Sequence, residues 1–108
     1  MVDSEKKTVK KPTISPRAER DLDDIWSYVA EDSVEYADRV IDDLNNRMKD
    51  LVAMPRIGRR RADLMADESL AFWPASHYMI VYRPDSEPIE IVRVLHTSRD
   101  IPVLLEES

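Results

Sequence analysis

The chain has 108 residues, contains no cysteine and carries a net charge of −6 at pH 7. This length fits a single domain with a modest core, and the absence of cysteine excludes disulfides and thiolate metal sites. No apolar run approaches the roughly 20 residues of a membrane span, and no signal-peptide pattern follows Met1. The composition therefore predicts a cytoplasmic protein that does not enter a membrane.

The first part of the chain predicts a tail followed by a brief strand. Residues 1–11 are polar and rich in lysine and have no hydrophobic periodicity, which is typical of a flexible tail. Residues 12–108 are expected to form one folded domain. This domain begins with "PTIS", whose apolar centre predicts a short strand.

The stretch "SPRAERDLDDIWSYVAED" predicts a first helix. Ser15 is suited to the N-cap and Pro16 to the first helical position. Apolar residues then recur on one face at helical spacing. The expected core anchors on this face are Leu22, Ile25, Trp26 and Val29.

A second helix is predicted directly after the first. Asp32 and Glu35 have the spacing of a capping box, and Pro55 together with Gly58 should end the helix. The apolar stripe between these signals is expected to supply the core anchors Ile41, Leu44 and Met48. Two helices joined by so short a link are typical of an antiparallel αα-hairpin.

The pattern then changes to that of strands. "SLAFWPA" predicts a short strand at a sheet edge, because Pro74 cannot donate to a central ladder. "YMIVYR" and "IEIVRVL" are rich in β-formers and flank the turn-like "RPDSEP", so they predict a hairpin. "DIPVLLEES" fits either a short strand or one helical turn. The order β-α-α-β-β-β indicates an α+β fold, with a helical hairpin packed on one face of a small, mainly antiparallel sheet.

Alternation along the last predicted strand assigns its side chains to two faces. One face should carry Ile89, Ile91 and Arg93, and the other Glu90, Val92 and Val94. Both faces are mostly apolar, as expected of a strand that is covered on both sides. Since each face carries one charge, Arg93 is expected near a rim or in a polar groove.

Charge is distributed unevenly along the chain. Residues 17–50 contain 5 basic and 11 acidic residues, whereas residues 51–66 contain 4 arginines against a single acidic residue. These arginines are Arg56, Arg59, Arg60 and Arg61. One or two would complement the C-terminal dipole of the second helix, and the acidic helices should pair with some of the others. The remainder predict a cationic patch suited to an anionic partner.

Few residues in the sequence could form an active site. His77 and His96 are the only histidines and have no metal-ligand spacing, and the single glycine, Gly58, excludes a phosphate-binding glycine loop and a serine nucleophile elbow. RNA cleavage through the 2′-hydroxyl would need a base, an acid and cations. His96, at the end of the last strand, is the candidate proton carrier of the cationic group. The favoured interpretation, however, is that His96 is an end-of-strand hydrogen-bonding residue.

Three segments together resemble ParE toxins, which belong to the ParE/RelE superfamily of bacterial toxin–antitoxin systems. They are "ISPRAERDLDDIWSYVAED", "PRIGRRRADL" and "YMIVYR…IEIVRVLHTSRDIP", and they follow the family's order between Ile14 and Leu105. The resemblance implies a toxin that a ParD-type antitoxin neutralises and that poisons DNA gyrase by binding rather than by catalysis. DNA would be contacted only indirectly, through the antitoxin or gyrase.

RelE-like relatives instead cleave mRNA on the ribosome, using arginines, lysines and a tyrosine near the C-terminus, and this is the alternative function. Here no tyrosine or lysine follows Arg99, Leu105 stands about where that tyrosine is expected, and no lysine follows Lys49. His96 and Arg99 match the family's strand-end pattern, which implies structural or partner-facing roles. Most of the groups for proton transfer are therefore expected to be absent.

One position departs from the family. ParE-like sequences commonly carry an arginine seven residues before the tyrosine that is Tyr78 here, and this chain has Ala71 at that place. Because that arginine is absent, a second alternative is that the chain is a non-toxic module that binds only the antitoxin.

The charge pattern and the resemblance together predict a set of partner-binding residues. The set consists of Arg56, Arg59, Arg60, Arg61, Tyr82, Arg83, Arg93, His96 and Arg99. Within it, Arg59 and Arg61 match the family's "GR.R" pattern and are expected to face a partner. A disordered antitoxin segment should lay a helix along the helical hairpin and add a strand to an open sheet edge, burying well above about 1,000 Å². No cofactor and no metal are expected.

Overall fold

A computed structural model of the protein describes residues 11–107, so the tail predicted for residues 1–11 lies outside the described residues except for Lys11. The elements are β1 (Thr13–Ile14), α1 (Pro16–Ala30), α2 (Val34–Ala53), β2 (Ala71–Ala75), β3 (Tyr78–Arg83), β4 (Glu90–His96) and α3 (Ile101–Glu106). The predicted order of helices and strands is confirmed. The C-terminal stretch, for which the sequence left two alternatives, forms the short helix α3.

The strands form one mixed sheet with the order β1-β4-β3-β2. β3 runs antiparallel to both β2 and β4, whereas β1 pairs with β4 in parallel. Pro74 lies in the edge strand β2, as predicted, because an edge tolerates a residue without an N–H. Within residues 11–107 no helix is long and apolar enough to cross a membrane.

Both long helices begin at a serine cap. The Ser15 hydroxyl accepts from the Ala18 amide at 3.0 Å and donates to the Val92 carbonyl at 2.9 Å, which joins the start of α1 to β4. The predicted capping box at Asp32 is wrong by one residue, since α2 is capped by Ser33, whose hydroxyl accepts from the Tyr36 amide at 3.0 Å. The backbone of Ser33 is extended, which aims its side chain at the first turn.

The sheet is covered on both faces, and each face has its own apolar cluster. The helical hairpin covers one face, with Ala18, Leu44, Met48 and Leu51 packed among Ala71, Ala75, Ile80, Tyr82, Ile89, Ile91 and Val94. The opposite face is covered by α3 and the segment before β2, where the cluster consists of Leu70, Phe72, Met79, Val81, Leu95, Ile101 and Leu105. The covering of both faces explains why β4 is almost continuously apolar.

The predicted core anchors differ in their burial. Leu44 and Met48 are fully buried, and Leu22, Ile25 and Ile41 pack at the margin of the same cluster. Val29 is half-buried. The prediction for Trp26 is wrong, because its side chain is 37% exposed and its indole Nε1 donates to Asp38 Oδ1 at 2.8 Å. Trp26 thus bridges the two helices near solvent, where its N–H finds a partner.

The two-face assignment of β4 is wrong from Arg93 onwards, because the strand contains a bulge. Val81 pairs with Arg93 and its neighbour Tyr82 pairs with Ile91, so Val92 is an extra residue without a partner in the register. The bulge shifts the alternation by one residue. Val94 consequently packs in the same cluster as Ile91, rather than on the opposite face.

Candidate partner-binding surfaces

The first candidate surface is the arginine loop, which we define as residues 55–61. Tyr82 holds this loop against β3, since its hydroxyl donates to the Pro55 carbonyl at 2.7 Å and accepts from the Gly58 amide at 2.9 Å. The backbone of Arg59 also pairs with Phe72 of β2 through two hydrogen bonds of 2.9 and 2.7 Å. The loop is therefore fixed at its start, by Pro55, and in its middle, by Gly58 and Arg59.

Tyr82 does not face a partner, so its place in the predicted partner-binding set is wrong. The residue is fully buried, and both Pro55 and Gly58 use its hydroxyl group. Burial raises the pKa of the Tyr82 phenol above its ordinary value of 10.0, although the hydrogen bond from Gly58 opposes this shift. Tyr82 is a core residue that positions the arginine loop.

The arginines of this loop have different local partners. Arg56 Nη2 lies 2.7 Å from Asp85 Oδ1, and Arg60 Nη2 lies 3.8 Å from Asp85 Oδ2. Arg61 forms a bidentate pair with Asp63, with distances of 2.9 and 2.8 Å. The prediction that the acidic helices would supply these partners is wrong, since both carboxylates lie in loops or turns.

Arg59 is the exception in this loop. Its side chain is exposed, and within residues 11–107 its guanidinium forms no ion pair. Because its backbone is held by Phe72, the position of its Cα is well defined. Arg59 is thus the arginine of the loop that is available to an anionic partner.

Arg83 belongs to a separate polar network on the β3–β4 hairpin. Its Nε lies 3.1 Å from Glu90 Oε1 and its Nη1 donates to the Ser69 hydroxyl at 2.6 Å. Hydrogen bonds from Ser69, assisted by the Arg83 charge, hold the pKa of Asp67 below its usual value. Arg83 is half-buried and links the hairpin to the segment before β2.

The second candidate surface is a concave one of about 790 Å³, which we call the α1–β4 groove. One wall is α1, which contributes Arg17, Arg20 and Tyr28. The other wall is the end of β4 and the turn before α3, which contribute His96 and Arg99. The structure brings these predicted strand-end residues together with two arginines that sequence reasoning counted only as part of an acidic helix.

The floor of this groove is a buried ion pair between α1 and β4. Arg93 Nε lies 2.8 Å from Asp21 Oδ2, and its Nη2 lies 3.0 Å from Asp21 Oδ1. The same carboxylate accepts from the Val94 amide at 3.0 Å, and Arg93 Nη1 donates to the Leu104 carbonyl at 3.1 Å. Arg93 is only 3% exposed, so its predicted role at a rim or towards a partner is wrong. It joins α1, β4 and α3.

His96 is exposed at the mouth of the groove. Its Nδ1 accepts from the Ser98 amide at 3.0 Å, which places the proton of the neutral ring on Nε2. The ring lies edge-on to Tyr78 at 5.2 Å and parallel to His77 at 6.1 Å between centroids. Desolvation raises the pKa of the Tyr78 phenol above its ordinary value. His96 is therefore both the end-of-strand hydrogen-bonding residue that the sequence allowed and a solvent-facing one.

Sequence reasoning missed Arg17 and Arg20 because the net charge of α1 is negative. The available signal was their spacing of three residues in the first turns of the helix, which places two cations on neighbouring positions of one surface.

Among the residues that the structure describes, no group of three or more histidine, aspartate or glutamate side chains could hold a metal ion.

Comparison with known proteins identifies the family. Residues 13–101 match the family described as "ParE toxin of type II toxin-antitoxin system, parDE". The chain is 29% identical over 89 residues to Toxin RelE3 of Caulobacter vibrioides, covering 82% of this chain and 96% of that toxin. A solved structure described as "Chromosomal ParDE TA system from P. aeruginosa" has the same fold, with a TM-score of 0.66 at 22% identity and the same two coverages of 82% and 96%. The resemblance drawn from the sequence is confirmed: the chain belongs to the ParE toxin family of type II toxin–antitoxin systems.

Proposed function

We propose that this toxin acts by binding a protein target, DNA gyrase, rather than by cutting RNA, and that a ParD-type antitoxin neutralises it. The observation that carries the proposal is the chemistry of the α1–β4 groove. Its cations that form no ion pair within residues 11–107 are Arg17, Arg20 and Arg99, and His96 is the one histidine among its lining residues. Such a surface can hold an anionic or apolar partner, but it offers few groups that exchange protons near neutral pH.

Cleavage at an RNA 2′-hydroxyl needs both a general base and a general acid. Arginine cannot serve as either, because it stays protonated in proteins. The pKa values of the phenols of Tyr78 and Tyr82 are raised, further from neutrality. Leu105, which stands about where RelE-like relatives are expected to carry a tyrosine, is 4% exposed in the second apolar cluster. These features favour binding over catalysis.

Induction of the toxin without its antitoxin tests the proposal in cells. A gyrase poison should produce broken chromosomes with intact transcripts. In a mixture of purified toxin, purified gyrase and DNA, cleaved DNA should accumulate. The relative named Toxin RelE3 makes the mRNA endonuclease the alternative to test alongside. Cuts within translated codons, with intact chromosomes, would establish that alternative.

The variant His96→Asn sharpens this comparison. The asparagine amide oxygen can still accept from the Ser98 amide, whereas the side chain no longer titrates. If the toxin acts by binding, any change in the toxicity of the variant should match its change in affinity for gyrase. Loss of transcript cleavage in His96→Asn, with folding unchanged, would instead indicate that His96 transfers a proton. Arg47→Gln, on the exposed surface of α2, is the control for an unrelated substitution.

Apolar side chains exposed on the helical hairpin support the antitoxin partnership. Tyr28, Val34, Tyr36 and Met54 are 75%, 55%, 52% and 56% exposed, and Trp26 adds a further apolar surface. An amphipathic antitoxin helix could cover them, with a total buried surface well above about 1,000 Å². Deletion of the antitoxin's C-terminal half should abolish binding, and tight binding by the truncated partner would overturn the wrapping arrangement.

Ala71 favours one further candidate, a module that binds the antitoxin without being toxic. Ala71 begins β2 opposite Tyr82 and is 3% exposed in the cluster beneath the helical hairpin. An arginine side chain at this position would have to leave that cluster to reach solvent. Normal growth after induction, combined with retained antitoxin binding, would identify the non-toxic module.

A further inference from the structure

The outer edge of β4 is only partly covered. β1 covers Glu90 and Ile91, and the Ser15 hydroxyl binds the Val92 carbonyl. Further along, the Val94 amide donates to Asp21 and the His96 carbonyl accepts from the Arg99 amide at 3.0 Å. Beyond Val92, then, helix side chains and a turn replace the neighbouring strand.

The pairing with β3 shows which backbone groups remain on this outer edge. The Thr97 amide donates to the His77 carbonyl, which makes Tyr78 and His96 a pair that is not mutually hydrogen-bonded. The backbone groups of Val94 and His96 consequently point away from β3. Within residues 11–107, the Val94 carbonyl and the His96 amide have no hydrogen-bond partner and border the α1–β4 groove.

The Val94 carbonyl and the His96 amide lie on either side of one residue, Leu95. This is the arrangement of groups that a parallel strand uses for its hydrogen bonds. In a parallel ladder, one residue of the added strand donates to the carbonyl before its neighbour and accepts from the amide after it. An antiparallel strand could also reach this carbonyl and this amide, but its own carbonyl opposite the Val94 amide and its own amide opposite the His96 carbonyl would face groups that Asp21 and Arg99 already use. A parallel strand leaves neither group of its paired residue unused. β1 pairs with β4 in this same parallel sense.

The charge of the groove specifies the side chains of such a segment. Arg17, Arg20 and Arg99 line it, and within residues 11–107 none of their guanidinium groups is in an ion pair. Asp21 is already neutralised by Arg93, so Asp24 is the one other acidic side chain among the described residues that line the groove. The surface is cationic on a chain whose net charge is −6. The exposed ring of Tyr28 adds apolar area beside the arginines.

We infer that the α1–β4 groove binds an extended acidic segment of the antitoxin, which adds a strand parallel to β4 at Val94 and His96. The inference rests on the proposed antitoxin partnership and names the site and the chemistry of the contact. Two backbone hydrogen bonds supply little affinity, so the carboxylates paired with arginine contribute most of it. A nucleic acid could also satisfy the arginines, but it lacks the amide and carbonyl that one residue of an extended peptide presents together to the Val94 carbonyl and the His96 amide.

A synthetic decapeptide of alternating glutamate and valine serves as the probe for the full-length toxin. We expect it to bind at least roughly tenfold more tightly than the glutamine–valine version, with affinity that falls as salt rises. The triple variant Arg17→Gln, Arg20→Gln, Arg99→Gln should lose this preference, whereas Arg47→Gln should keep it. Equal binding of both peptides, or retention of the preference by the triple variant at an unchanged melting temperature, would overturn the inference.

Amide hydrogen exchange tests the strand geometry directly. Peptide binding should slow exchange of the His96 amide, while the Leu95 amide, which already points towards β3, should change little. Tight binding of a single-stranded RNA decamer, without protection of the His96 amide, would replace the peptide with a nucleic acid. If the antitoxin binds wild type and triple variant equally, the groove inference fails and the partnership stands. If the antitoxin does not bind at all, the proposed function fails, and so does the inference that rests on it.

Discussion

Gly58 lies directly against the side chain of Tyr82. Its amide donates to the Tyr82 hydroxyl at 2.9 Å, and a Cβ at Gly58 would stand 2.7 Å from Tyr82 Cε1. The backbone of Gly58 does not have a positive φ, so close approach is the reason that glycine is required. The chain's only glycine therefore lies in the arginine loop, at the point where Tyr82 holds that loop.

Gly58→Ala should therefore destabilise the toxin. The Tyr82 ring is buried and cannot move aside without disturbing the core, and overpacking of this kind costs about 1–3 kcal/mol. Urea denaturation of the variant measures the loss in the free energy of unfolding. Alanine substitution of exposed Ser98 is the matched control. An unchanged stability of Gly58→Ala would mean that Tyr82 does not hold the loop as described.

Tyr82→Phe should lower stability by about 1–3 kcal/mol at neutral pH, since Pro55 and Gly58 lose their partner. It should also change the response to alkali. The pKa of the Tyr82 phenol is raised in the folded chain, so its proton is held more tightly there than in the unfolded chain. The resulting stability is present below about pH 10 and is lost as pH rises through the folded-state pKa.

Wild-type toxin should consequently lose more stability than Tyr82→Phe as the pH rises above about 10. The measurement is the urea midpoint of both proteins across this range, in which the ionisation of other groups is common to the two. Parallel pH profiles would show that Tyr82 ionises equally easily in the folded and unfolded chains.

Local sequence signals were enough to predict most of the elements of this fold. Ser15 and Pro16 act within one turn of α1, and Pro74 restricts β2 to an edge whatever lies further away. The error in the predicted N-cap of α2 is also local, because the cap is Ser33, the residue next to Asp32. Element type therefore followed from periodicity and caps.

The errors arose where distant parts of the chain meet. The residues near Arg93 do not indicate that it pairs with Asp21, which lies 72 residues earlier. The bulge at Val92 likewise changes which side chains of β4 face the helices. The role of Tyr82 likewise depends on distant residues, because its hydroxyl binds the backbone of Pro55 and Gly58. Such residues could not be assigned from the sequence, since their roles depend on tertiary contacts.

Asp21→Asn should be among the most destabilising single substitutions. It leaves Arg93 as a buried cation without its counter-charge, and breaking a buried pair in this way costs about 3–5 kcal/mol. Asp43→Asn removes a carboxylate from an exposed pair with Arg47 at 3.8 Å and should cost at most about 1 kcal/mol. Thermal and urea unfolding of both variants provide the comparison, and equal losses would contradict the role assigned to the Asp21–Arg93 pair.

Ala71→Arg, which introduces the residue common in the family, should lower the melting temperature. Ala71 is packed in the cluster beneath the helical hairpin, and an unpaired guanidinium there would be costly. Ala71→Val is the control for size without charge. A stable Ala71→Arg variant with new or greater toxicity would show instead that the arginine finds an exit to solvent and a functional contact.

The arginine loop yields the most specific prediction about partner binding. Alanine at both Arg59 and Arg61 should weaken antitoxin or gyrase binding by at least roughly tenfold, about 1.4 kcal/mol, with little change in melting temperature. Most of the loss should already appear in Arg59→Ala, because Arg61 is held by Asp63 and Arg59 is in no ion pair among residues 11–107.

Titration calorimetry with wild type, both single variants and Arg47→Ala separates these contributions. Arg47→Ala removes an exposed arginine from α2 and should leave binding unchanged. A larger loss in Arg61→Ala than in Arg59→Ala would mean that the partner breaks the Arg61–Asp63 pair to engage Arg61. If the double variant unfolds while its folded fraction still binds both partners, the arginines brace the loop rather than contact a partner.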